Sequence, residues 1–156
     1  MAQVKLLKLA FITLSLAAAS AHAHTARATL DPAGTNAHFT ALARVTCFND
    51  GSGPAVGLYV RIRDNSPAVT GLLVNAQILK GTQALATTDT VSGDASWSDP
   101  IQIDGAGGVY TVIVNKTAAG ARNFDIEWHC VTTGHDHDHI GDIPHTGTEI
   151  LVDQFK

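Results

Sequence analysis

Residues 124–130, Phe-Asp-Ile-Glu-Trp-His-Cys, form the stretch that decides the fold. Every second residue is apolar, and the residues between them are polar or charged. Because side chains alternate between the two faces of a β-strand, this pattern predicts a strand with one face in a core and the other in water. The apolar face holds Phe124, Ile126, Trp128 and Cys130, and the water face holds Asp125, Glu127 and His129.

Short alternating segments of the same kind occupy most of the chain, separated by turns rich in Gly, Pro, Asn and Asp. No segment of the mature chain has the period of an amphipathic helix. The pattern predicts an all-β fold, a single antiparallel β-sandwich of about seven or eight strands, and its architecture resembles an immunoglobulin-like domain. The other predicted strands lie at residues 38–48, 56–62, 72–79, 83–91, 101–103, 109–115 and 148–155.

The chain has two cysteines, Cys47 and Cys130, and both lie on apolar faces of predicted strands. In an exported protein an even pair of cysteines is read first as a disulfide. The alternative is a pair of thiolate metal ligands, which is disfavoured because neither cysteine belongs to a C-x-x-C motif. We therefore expect a disulfide that pins an early strand to a late one across the core.

Residues 1–23 have the features of a signal peptide. A short basic region precedes an apolar run of about eleven residues, which is too short to span a bilayer, and small residues follow at the spacing of a cleavage site. No later run is long and apolar enough to span a membrane. The mature domain, residues 24–156, is therefore expected in the periplasm or outside the cell.

The charge balance and the motifs exclude several functional classes. The formal net charge is −4, and it becomes −6 when Lys5 and Lys8 are removed with the signal peptide. The chain has no run of Lys or Arg, so the sequence gives no indication of a nucleic-acid partner. It also lacks the motifs of serine hydrolases, zinc proteases and phosphate-binding loops. We therefore expect a protein that is not an enzyme.

Histidines are concentrated in residues 134–147, the one marked shift of composition in the mature chain. His135, His137 and His139 occupy alternate positions, and His145 follows. In an extended segment alternate side chains point the same way, about 7 Å apart, so that their imidazoles can converge on one ion. Imidazole suits copper, zinc and nickel. The alternative is a solvated His-rich loop that binds metal ions only weakly.

Two alternative cleavage sites both create an N-terminus suited to copper. Cleavage after Ala23 exposes His24, whose amine and ring Nδ1 can chelate Cu(II) together with another histidine. Cleavage after Ala21 exposes His22-Ala23-His24, in which the amine, two backbone amides and the third-position ring suit square-planar Cu(II) or Ni(II). Alternatively, histidine is merely tolerated near a cleavage site. The predicted metal-binding residues are His24, His135, His137, His139 and His145.

A resemblance to a known family rests on two short stretches. Residues 24–34 (HTARATLDPAG) resemble the start of periplasmic copper-resistance carriers of the CopC type, and residues 128–133 (WHCVTT) resemble a late strand of that family. The resemblance implies a small β-sandwich in which His24 binds Cu(II). Members of the family complete the site with an Asp-x-His motif, but here Asp136 and Asp138 are each followed directly by His. Only His24 is therefore carried over.

The predicted function is that of an exported carrier or buffer for copper, or else for zinc, with a periplasmic protein as a further partner. The alternative is an immunoglobulin-like interaction module without a specific metal role. A copper oxidase with an N-terminal histidine brace is disfavoured because no aromatic substrate face is evident. His129, beside Asp125 and Glu127, is interpreted as part of an outward-facing strand surface rather than as a metal ligand.

Overall fold

The computed structural model describes residues 24–133 and 144–156, which form nine β-strands and no helix. No helix that could cross a bilayer is therefore found in this part of the chain. The ninth strand, beyond the eight predicted, is β1 at the start of the mature domain. The strands are β1 (His24–Leu30), β2 (Ala41–Phe48), β3 (Ala55–Asp64), β4 (Val74–Lys80), β5 (Gln83–Thr88), β6 (Ile101–Asp104), β7 (Gly108–Lys116), β8 (Arg122–Thr132) and β9 (Gly147–Phe155).

The strands form two antiparallel sheets, so the predicted β-sandwich is confirmed. One sheet has the order β1-β8-β3-β6 and the other the order β5-β4-β7-β2-β9. The first eight strands pair as nested hairpins, β4 with β5, β3 with β6, β2 with β7 and β1 with β8. This connectivity is that of a jelly roll and differs from the strand order of an immunoglobulin domain. Alternation of side chains cannot distinguish the two, because it reports burial and not the identity of the neighbouring strand.

The core lies between the sheets and is crossed by the predicted disulfide. Cys47 on β2 is bonded to Cys130 on β8, with their Cα atoms 5.4 Å apart, and both are buried. Trp128 belongs to the same core cluster. Because the bond closes a loop of 83 residues, the chain-entropy model gives it a stabilising contribution of about 4.6 kcal/mol.

The second face of β8 is buried, so the prediction that it faces water is wrong. Asp125, Glu127 and His129 are only 2%, 6% and 4% exposed. The reason is the position of β8 between β1 and β3, both of which carry arginines on this face. Arg27 and Arg63 pair with Asp125 at 2.6 and 2.8 Å, and the hydrogen bond from Arg27 is the largest influence that lowers the pKa of this carboxyl.

The end of β8 has a second partner on the edge that β1 occupies. Since β3 runs along the other edge of β8, residues 144–146 must pair on the β1 side, beyond the point where β1 begins. Thr146 N donates to Cys130 O at 2.9 Å, and Thr132 N donates to Pro144 O at 3.1 Å. The Thr146 side chain, almost fully buried, fixes this segment further by contacts with the β2–β3 turn.

Candidate functional site

Three histidines from distant parts of the sequence meet at the end of β8. The ring centroids of His24 and His145 are 6.2 Å apart, and those of His129 and His145 are 5.6 Å apart. His24 begins β1, His129 lies within β8, and His145 forms an isolated bridge with Val131. We refer to His24, His129 and His145 as the histidine cluster.

His24 and His145 are neighbours because β1 and residues 144–146 pair with successive parts of the same edge of β8. His24 is opposite Trp128 in the β1–β8 register, and the two rings stack with centroids 5.9 Å apart. His145 is opposite Val131, three residues further along β8. Both His24 and His145 are half-buried, so the cluster is open to solvent on one side.

His129 is the buried member of the cluster. Its ring lies between His145 and Tyr59, whose ring centroid is 5.8 Å away. Its Nε2 is 2.9 Å from Glu127 Oε1, while Arg61 donates to Glu127 Oε2 at 2.7 Å. A carboxylate only accepts hydrogen bonds, so Nε2 carries the proton and Nδ1 keeps its lone pair.

The Nδ1 atom of His129 is buried and has no hydrogen-bond partner among the described residues. Leaving a buried polar atom unsatisfied costs about 1–3 kcal/mol in typical proteins, so such an atom requires an explanation. The sequence alone does not single out His129, because the alternation of a strand is the same whether its polar face meets water or is covered by neighbouring strands. The only local signal was the placement of Glu127 two residues before His129, where both side chains share one face.

The environment favours neutral imidazoles in the cluster. Burial lowers the pKa of His24, and the positive charges of His129 and His145 lower it further. Burial also lowers the pKa of His129, and this outweighs the opposing effect of Glu127. A histidine binds a metal only in its neutral form. Two members of the cluster therefore favour the form that a metal requires.

The structure brings together two of the five predicted metal-binding residues, His24 and His145. The other three, His135, His137 and His139, lie outside the described residues. No three His, Cys, Asp or Glu side chains in the ranges 24–133 and 144–156 are already grouped as the ligands of an ion. The described part of the chain thus provides a partial set of donors.

Comparisons with known proteins assign no family. No protein-family model and no curated protein matches the sequence. Among solved structures, the fold is similar to the crystal structure of Yersinia pseudotuberculosis-derived mitogen (YPM), with a TM-score of 0.43 and 10% sequence identity. The alignment covers 79% of this chain and 97% of the mitogen.

Proposed function

We propose that this protein is an exported metal-binding protein, a carrier or buffer for copper first and zinc second, with its site at the histidine cluster. The observation that carries the proposal is the contact between His24 and His145. The sequence indicates both residues independently, His24 as the predicted N-terminal residue of the mature chain and His145 as the last histidine of the His-rich segment.

The distances within the cluster fit imidazoles that share an ion. A metal–nitrogen bond of about 2.0 Å puts the ring centroids of two such imidazoles about 4.5–6.4 Å apart, for bond angles from about 90° to 180°. The His24–His145 and His129–His145 distances of 6.2 and 5.6 Å fall in this range.

Further donors come from segments that are joined directly to the cluster. Signal cleavage after Ala23 gives His24 a free amine, which can chelate an ion together with the ring of the same residue. Thr132 and Pro144 lie on either side of His135, His137 and His139 in the sequence, and the hydrogen bond from Thr132 N to Pro144 O holds these two residues side by side. We propose that His135, His137 and His139 supply the remaining ligands.

The donor set favours copper and zinc among the common biological metals. Imidazole and amine nitrogens suit Cu(II), Ni(II) and Zn(II), whereas calcium and magnesium prefer oxygen ligands. The resemblance of residues 24–34 to copper carriers of the CopC type supports the same role for His24. A site on the solvent-accessible side of the sandwich suits uptake and release of an ion.

The test is the intact mass of the exported protein, measured under native conditions with and without Cu(II). One measurement gives the mature N-terminus, the disulfide and the copper stoichiometry. A chain that begins at His24, lacks two hydrogens because of the disulfide and binds one Cu(II) supports the proposal.

A second experiment compares two variants. In one, Ala replaces His135, His137 and His139 together. The control variant is His38→Ala, because His38 is an exposed histidine that lies before β2. We expect the triple variant to lose at least tenfold in Cu(II) affinity and the control to lose nothing.

A second candidate function, an interaction module, is favoured by the surface of β9. This strand lies at one edge of its sheet in the described part of the chain, and it exposes Ile150, Leu151 and Val152 by 39%, 54% and 59%. Exposed edge strands rich in apolar residues accept an added strand from a partner. Sedimentation equilibrium with Val152→Lys as the comparison tests self-association. A monomer at all concentrations, with Cu(II) bound, favours the carrier over this alternative.

A further inference from the structure

We infer that His129 is an internal ligand of the metal, which it binds through Nδ1, and that Glu127 and Arg61 hold its ring in place for that purpose. The inference rests on the proposed function and extends it to residues that the sequence alone does not assign to the site. The ligand class is a borderline divalent ion that accepts imidazole nitrogen, Cu(II) or Zn(II).

The first support is the unsatisfied nitrogen. Nδ1 of His129 is shielded from solvent, has no hydrogen-bond partner in the described ranges and belongs to a residue that is 4% exposed. A core histidine with a purely structural role normally has partners for both ring nitrogens. Here one nitrogen is engaged by Glu127 and the other keeps a free lone pair, in a ring whose centroid is 5.6 Å from that of His145.

The second support is the chain of contacts behind the ring. Arg61 donates two hydrogen bonds to Glu127 Oε2, at 2.7 and 3.0 Å, and Glu127 Oε1 accepts from His129 Nε2. Metal-binding histidines in proteins usually donate their second ring nitrogen to a carboxylate, which fixes the tautomer and makes the ligand more basic. The order Arg61–Glu127–His129 reproduces that arrangement, with Glu127 and Arg61 as positioning residues.

The third support is the location of His129 relative to the two predicted ligands. His129 and His145 are in ring contact, and His145 is in turn in ring contact with His24. An ion held by His24 and His145 would therefore lie close to the buried ring. With His129 added, the described residues supply three imidazoles, and the N-terminal amine supplies a fourth nitrogen once the signal peptide is removed.

Nuclear magnetic resonance of the wild-type mature protein tests the inference without a variant. The ¹⁵N shifts of the imidazole nitrogens are recorded before and after addition of Zn(II), which is diamagnetic. We expect the metal-free protein to show His129 protonated on Nε2, and Zn(II) to shift its Nδ1 resonance. If the nitrogens of His24 or His145 shift and Nδ1 of His129 does not, the inference is overturned and the proposed function stands. If Zn(II) shifts no imidazole and competition titration finds no bound Cu(II), both fail.

Variants give an independent measurement with Cu(II) by competitive chelation. His129→Gln retains a polar side chain that can still donate to Glu127 but lacks the ligand nitrogen, and we expect it to lower Cu(II) affinity at least tenfold. Glu127→Gln should lower affinity by a smaller factor and weaken the preference of His129 for the Nε2–H tautomer. His38→Ala should match wild type. A folded His129→Gln protein with wild-type Cu(II) affinity overturns the inference, whatever the result for the His-rich segment.

Discussion

His24 and His145 contact each other edge to face, with ring centroids 6.2 Å apart, although they lie near opposite ends of the mature chain. The contact exists because β1 and residues 144–146 pair with successive parts of one edge of β8. It places the first residue of the predicted mature protein next to the end of its His-rich segment.

The free amine of His24 should contribute to the metal site. A protein that retains one alanine ahead of His24 has its amine displaced by a residue, so the amine and the His24 ring no longer form the same chelate. We expect Cu(II) affinity to fall at least about tenfold, which corresponds to 1.4 kcal/mol. Competitive chelation of the two purified proteins measures this. Equal affinities would show that the amine is not a ligand.

The stability of the metal-free protein should fall as the pH drops below about 6.5, the ordinary pKa of histidine. The pKa values of His24 and His129 are lowered in the folded protein, so the unfolded chain binds more protons in this range. The stability that the protein has with these two histidines neutral is fully present above the unfolded-state pKa, and it is lost as the pH falls through the folded-state pKa values. Urea unfolding between pH 7.5 and pH 5 measures the slope. His129→Gln should give a shallower slope, and an unchanged slope would contradict the prediction.

Removal of the disulfide should destabilise the fold substantially. Replacement of Cys47 and Cys130 by Ala in the same protein removes the disulfide that joins the two sheets. We expect a loss of about 4–5 kcal/mol in the free energy of unfolding, by the chain-entropy model. Denaturant titration of the oxidised wild type and the double variant gives the difference. A loss below about 1 kcal/mol would show that the bridge adds little to the packed core.

Arg122 should be important for stability and irrelevant to metal binding. It lies at the start of β8, far along the strand from His129, and pairs with Asp64 at 3.2 Å, with side chains 4% and 0% exposed. Arg122→Met leaves the Asp64 charge buried and unpaired, and we expect a destabilisation of about 3–5 kcal/mol.

The matched control is Arg44→Met, which breaks the Arg44–Asp153 pair, 50% and 28% exposed. Exposed pairs contribute at most about 1 kcal/mol, so this variant should unfold nearly as wild type does. Chemical denaturation compares the two, and Cu(II) titration should give the same affinity for both. A similar stability for the two arginine variants would argue against a special role for the buried pair.

The amino-acid sequence alone determined eight of the nine strands and which cysteines are joined. Alternation with a period of two, interrupted by turn residues, locates the strands because it reflects local geometry and burial on one face. Cys47 and Cys130 have no other partners in the chain. The same reasoning selected His24 and His145, because a cleavage site and a histidine-rich composition are local features.

Only the tertiary structure decided the order of the strands and the burial of the second face of β8. Alternation is identical for a strand whose polar face meets water and for one whose polar face is covered by arginines of its neighbours. The position of β8 between β1 and β3 is set by pairings across large sequence separations, which no local pattern encodes. The sequence alone therefore indicates a surface position for His129, whereas in the folded protein it lies buried beside His145, because residues 144–146 pair with the edge of β8 beyond the point where β1 begins.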